Sequence, residues 1–128
     1  MALTLKEEKR LELEKTFKEA NRMAADDVIV ENTLGDYYEF MSQVRGNYYF
    51  TQERVIFESS WGIEKVNVKY SDIREIRKSF VGPFLPFGVT ITAVNQGNNN
   101  DKTKKYKLSL MKRKYWMELL SNKSGIVL

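Results

Sequence analysis

The sequence predicts a mainly β (α+β) domain with a helix at each end, on three observations. Apolar and polar residues alternate with period two in several short runs between residues 28 and 110. Turn-forming residues punctuate those runs. At either end, residues 4–25 and 112–124 carry the 3.6-residue period of amphipathic helices instead.

The first helix belongs to an N-terminal segment, residues 1–26. Thr4 and Glu7 fit a capping box, in which each side chain satisfies a free backbone donor of the other. Leu13, Phe17, Ala20 and Ala24 then fall on one face, with Met23 beside them. The opposite face is charged, and Glu14–Lys18 and Lys15–Glu19 stand at i,i+4 spacing. Asp26 and Asp27 are unfavourable at the negative end of a helix dipole, so the helix is expected to stop near Ala25. Its narrow stripe either docks on the body of the domain or forms a dimer contact.

Strands follow. Val28 and Val30 alternate with Ile29 and Glu31, and Gly35-Asp36 reads as a turn. Tyr37 to Val44 is extended, Gly46-Asn47 reads as a second turn, and Tyr48 to Thr51 as a strand. Gln52-Glu53 is the two-residue loop of a hairpin into Arg54 to Ser59. Val66, Val68 and Tyr70 alternate with polar residues. Ile73 and Ile76 are three apart, which calls for a bulge or a helical turn between them. Val89, Ile91 and Ala93 form one further strand, and Tyr106, Leu108 and Leu110 another. The polar stretch 95–102 joins these two as a hairpin tip. Trp116, Leu119 and Leu120 share one face of the last helix, which Gly125 stops. Six or seven short antiparallel strands suggest a small barrel or two packed sheets. A terminal helix carrying a tryptophan suits the plug of one barrel end.

Composition narrows the chemistry. The 128 residues are one domain's worth, 42% hydrophobic and 30% charged. Cysteine and histidine are both absent. That excludes disulfides, zinc sites of the Cys/His type and catalytic triads or dyads built on histidine. The only adjacent carboxylates, Asp26 and Asp27, diverge on helix or strand alike. No glycine-rich phosphate loop is present, and the chain is expected not to be an enzyme and to need no metal or cofactor. The N-terminus from Met1 to Arg10 lacks the apolar stretch of a signal peptide, and no run approaches the ~18 residues of a membrane span. A cytoplasmic location follows, with peripheral membrane contact as its variant. The net charge of +4 is unevenly spread. Residues 26–64 hold two basic and eight acidic side chains, whereas residues 65–128 hold thirteen basic and four acidic. Such halves can face each other in one fold, steer the chain to an anionic surface, or hold two copies head to tail.

The run Gly46-Asn47-Tyr48-Tyr49-Phe50-Thr51-Gln52-Glu53-Arg54-Val55-Ile56-Phe57 resembles the hairpin signature of GRAM domains and bacterial pleckstrin-homology-like (PH-like) domains. Val66 to Ile76 and the terminal Lys112 to Leu120 are similar to two further stretches of that family. The resemblance covers about residues 27–123, within a domain placed at 27–124, and the N-terminal helix lies outside it. It implies a PH-like split barrel of about seven antiparallel strands capped by the C-terminal helix. Within the motif, Gly46 would supply free backbone torsions, the Thr51 hydroxyl would bond within its turn, and Arg54 would pair with Glu53, Asp72 or another acid. The resemblance does not imply one function, because members of this superfold bind phosphoinositides, other lipids, peptides or proteins.

Two candidate sites emerge. Lys102, Lys104, Lys105, Lys107, Lys112, Arg113 and Lys114 place seven cations in thirteen residues, enough to attract anionic lipid. Against a specific inositol-phosphate pocket, the first hairpin carries Glu31, Asp36 and Glu39, with Arg45 its one base before Gly46. The second candidate is an apolar, two-proline interaction loop that includes Phe80, Val81, Phe84, Leu85 and Phe87. Phe84 and Phe87 are expected to form its association surface. Nucleic acid is disfavoured, because Tyr48, Tyr49 and Tyr106 alternate into a core. The leading expectation is a non-catalytic module that binds a protein partner or itself. The alternative is peripheral binding to anionic membrane through residues 102–114.

Overall fold

The computed structural model describes residues 3–39, 42–81, 85–94 and 102–128. Helix α1 (Leu3–Glu19) is followed by strands β1 (Ile29–Glu39), β2 (Ser42–Thr51), β3 (Arg54–Ser59) and β4 (Glu64–Lys69). A 3-10 turn at Tyr70–Asp72 leads to β5 (Ile73–Val81), β6 (Leu85–Val94) and β7 (Thr103–Ser109), and helix α2 (Arg113–Ser124) closes the chain. All pairings are antiparallel, in one seven-stranded sheet of order β4-β3-β2-β1-β7-β6-β5.

One face of the curled sheet builds the core from Tyr48, Phe50, Val55, Phe57, Val89, Ile91 and Leu108. Helix α2 closes it: the Trp116 indole stacks on Phe50 at 4.6 Å and 10°. Gly125 ends α2 at φ 79°, in the left-handed conformation that suits glycine. The bulge expected after Ile73 lies between Ile73 and Glu75.

Neither predicted glycine turn forms. Gly35 and Gly46 lie inside β1 and β2, directly opposite each other. A Cβ at Gly35 would meet the Ser109 carbonyl oxygen at 2.7 Å, and one at Gly46 would overlap the Glu58 carbonyl and the Phe57 ring. These glycines serve close approach between strands, not torsional freedom.

Helix α1 begins at Leu3, so Thr4 lies inside it and not at its N-cap. It ends at Glu19, earlier than the expected stop near Ala25. Asn21 turns left-handed at φ 59°, the Arg22 N–H donates to the Phe17 carbonyl at 2.8 Å, and the Asn21 N–H to that of Lys18 at 3.1 Å. This is a Schellman cap with asparagine in the glycine position. It returns the Arg22 guanidinium over the Phe17 ring at 4.2 Å and within 2.8 Å of Glu58. Phe17 and Met23 cover Tyr49, Ile56 and Ile29 on the outer face of the sheet, which is the docking alternative for this helix. Glu14 does not join the solvent face: its carboxylate is buried and accepts the Ile29 N–H.

The Gln52-Glu53 turn forms as expected, held by a buried carboxylate. Asp27 Oδ1 accepts the Val28 and Gln52 N–H groups at 2.9 and 3.0 Å, and its Oδ2 accepts the Thr51 hydroxyl at 2.7 Å. Thr51 Oγ1 in turn accepts the Glu53 and Arg54 N–H groups at 3.1 and 2.9 Å. The partners described for Arg54 are neutral groups and not the expected acids: its Nη1 donates to Asn67 Oδ1 and the Arg22 carbonyl at 3.1 and 3.3 Å.

Asp27→Ala strands several buried donors at once and is expected to cost about 2–4 kcal/mol, read from urea unfolding. Burial pushes the Tyr37 hydroxyl up to about 12, with Tyr106 and Glu39 adding to it. Burial also raises Tyr48 and Tyr70. The unfolded chain ionises its tyrosines near pH ~10 while the native chain keeps these protonated. Stability is therefore full below that pH and falls as pH rises from about 10 towards 12, which denaturant melts at graded pH will show.

Candidate functional site

The two candidate segments meet at one end of the barrel. The apolar segment is mostly strand: Phe80 and Val81 end β5, and Leu85 and Phe87 begin β6. Phe84 lies outside the described residues. Phe80 is 63% exposed, Pro86 is exposed, and Phe87 is half-buried. The Leu110 N–H donates to the Phe87 carbonyl at 2.9 Å, and Arg113 Nη1 to the Ser79 carbonyl at 3.2 Å. These bonds set Met111, itself 63% exposed, and the cations Lys112, Arg113 and Lys114 against the β5–β6 end.

The remaining cations stand apart from that end. Lys102, Lys104 and Lys105 are exposed and Lys107 is half-buried. Strand β7 alone extends about 20 Å, so the seven do not form one cluster. Lys105 and Lys107 sit opposite Thr92 and Thr90 on the outer face. Lys104 lies on the other face, its Nζ 5.0 Å above the Tyr106 ring.

Charges at the first hairpin are largely paired. Glu39 meets Lys65 Nζ at 2.9 Å, and that hydrogen bond is the largest cause holding its carboxyl below the usual range. Asp36 meets Arg45 at 3.5 Å, and Glu31 accepts the Tyr115 hydroxyl. Tyr48 is fully buried and Tyr49 is covered by α1, so neither offers a stacking face. Among the described residues, no group of three or more acidic side chains is placed to hold a metal ion. No helix there is long and apolar enough to cross a membrane.

One exposed side chain escaped the sequence reading. Trp61 is 90% exposed on the turn between β3 and β4, next to Gly62 at φ 82°. Its signal was local, since Ser-Ser-Trp-Gly is turn composition and a turn holds its side chains out.

Solved structures share this architecture. The C-terminal domain of an unknown protein from Leishmania infantum is similar over 88% of this chain and 98% of that one, at 15% identity and a TM-score of 0.66. The DH/PH domains of PDZ-RhoGEF, in complex with GTP-gamma-S activated RhoA, are similar at 12% identity and a TM-score of 0.62, over 87% of this chain and 32% of theirs. Those of p115-RhoGEF match at 12% identity and a TM-score of 0.59, over 88% and 34%. This chain thus spans about a third of the RhoGEF chains it matches. No family model matches the chain, and no curated protein matches its sequence. At these identities the likeness concerns the fold alone, and the fold is PH-like.

The two tryptophans are separable by environment. Trp61→Phe is expected to leave stability within about 0.5 kcal/mol. The emission maximum should shift to the blue, because buried Trp116 then emits alone. Iodide quenching should fall in parallel.

Proposed function

We propose that the chain is a non-catalytic interaction module of the GRAM type that binds a protein partner or a second copy of itself. The observation that carries this reading is the solvent-facing pair Phe80 and Met111, on segments fixed by the Ser79 and Phe87 carbonyls. Two large apolar side chains on ordered backbone lose little entropy when covered, which suits a protein interface. The similar DH/PH domains of PDZ-RhoGEF are found in complex with RhoA.

A second reading has its own observation. Lys112, Arg113 and Lys114 adjoin the apolar tip, and cations around an apolar tip suit an anionic membrane surface. Salt separates the two readings, because charge attraction to lipid is screened while apolar protein contact is not.

Sedimentation velocity, affinity capture and vesicle co-sedimentation test this together. Phe80→Asp is expected to weaken self-association or to remove specific captured proteins, with stability unchanged. Vesicles containing phosphatidylserine are expected not to bind at physiological salt. Binding to anionic vesicles alone, reduced by salt and by Lys112→Glu with Lys114→Glu, would replace the protein reading with the membrane one.

A further inference from the structure

The docking face of α1 changes character towards its N-terminus. Phe17 meets Tyr49 edge-on at 5.4 Å, and Leu13, one turn earlier, continues the same stripe. A further turn back, the stripe is no longer apolar. Lys9 and Arg10 stand there and, with Leu13, form one wall of a cleft of about 450 Å³ against the outer face of the sheet. Two opposed pairs of the β1–β2 ladder line the facing wall, Asn32 with Tyr49 and Leu34 with Asn47, together with Ile29. Ile29 and Tyr49 are buried, so the depth of the cleft is apolar, while both cations are exposed at its rim.

The charge of this cleft runs against its surroundings. Strands β1 to β3 carry Glu31, Asp36, Glu39 and Glu58, yet none of these lines it. Glu14 is spaced to pair with Arg10 along the helix, but its carboxylate is buried on the Ile29 N–H instead. Among the described residues, neither Lys9 nor Arg10 forms an ion pair, and the Asn32 and Asn47 amides make no hydrogen bond.

We propose that this cleft binds a small carboxylate with an apolar body. The Arg10 guanidinium matches a planar carboxylate bidentately, and the Lys9 ammonium supplies the second charge. The apolar body packs on Leu13, Ile29 and Tyr49, and the two asparagine amides orient it by hydrogen bonds. The volume falls within the range of small-molecule sites, about 300–1,000 Å³. The site shares no residue with the Phe80 and Met111 surface and does not depend on the protein-interaction reading.

The test is a titration of the full chain with octanoate, followed by backbone amide chemical shifts. Octanoate is expected to shift the amides of Leu13, Asn32, Leu34, Asn47 and Tyr49 saturably, whereas octylammonium and acetate leave them in place. Lys9→Gln with Arg10→Gln should weaken octanoate by about tenfold. Both side chains are exposed, so the thermal midpoint should hold, and the octylammonium comparison is made on the unaltered chain in any case. Equal shifts with octylammonium or acetate, affinity indifferent to the double exchange, saturable shifts confined to other residues, or no saturable shift with octanoate would each overturn the proposal. None of these outcomes touches the protein-interaction reading, which stands or falls separately on Phe80→Asp.

Discussion

An ionised carboxylate without partners would cost several kcal/mol to bury, so the burial of Asp27 is a strong geometric demand. Its two oxygens are met by one N–H at the start of β1, one N–H in the β2–β3 turn and the Thr51 hydroxyl. Thr51 passes the constraint on, since its hydroxyl holds the next two N–H groups and its carbonyl accepts the Tyr70 hydroxyl at 2.8 Å. One corner therefore joins the exit of α1, the first strand, the β2–β3 hairpin and the turn before β5. Ile29 comes to lie opposite Thr51, and beyond a register shift between Ile29 and Glu31 the β1–β2 pairing runs on to Glu39 and Ser42.

That register places Gly35 against Gly46 and lets β1 and β2 approach their neighbours closely enough for the sheet to curl. Curling brings the Phe50 ring to Trp116, and α2 is set down across one end. The position of α2 then fixes the rest of that end. Arg113 reaches the β5 backbone, Leu110 reaches β6, and the basic residues at the start of the helix stand beside the apolar hairpin. The candidate surface is thus a consequence of how the barrel closes, with its first cause at the opposite corner.

Much of this was legible in the sequence, and the rest failed for identifiable reasons. Strand alternation placed the β2–β3 hairpin, β4, β6, β7 and α2, because a half-buried strand and a half-buried helix each write their own period. Gly35 and Gly46 misled because a glycine needed for close approach is indistinguishable, in one sequence, from one needed for a turn. Asn21 gave no warning of a helix cap, since asparagine is as common in loops as at left-handed positions. Glu14 read as a solvent-facing charge and Arg54 as the partner of an acid, but each turned to a backbone or amide partner supplied from a distant segment. For the site, each half was visible as composition: an apolar stretch at 80–87 and cations at 112–114. Their adjacency was not, because it depends on one backbone hydrogen bond, Leu110 to Phe87, and one from the Arg113 side chain to Ser79, each between segments far apart in the chain.

The two edges of the sheet, β4 and β5, answer a single hazard in different ways. An unprotected edge invites pairing with any other strand, its own copies included. Strand β4 limits this hazard by being only six residues long. Strand β5 is longer and carries Arg74, Arg77 and Lys78, cations that repel an identical edge laid beside it. The two edges are thus guarded differently, β4 by its shortness and β5 by its cations.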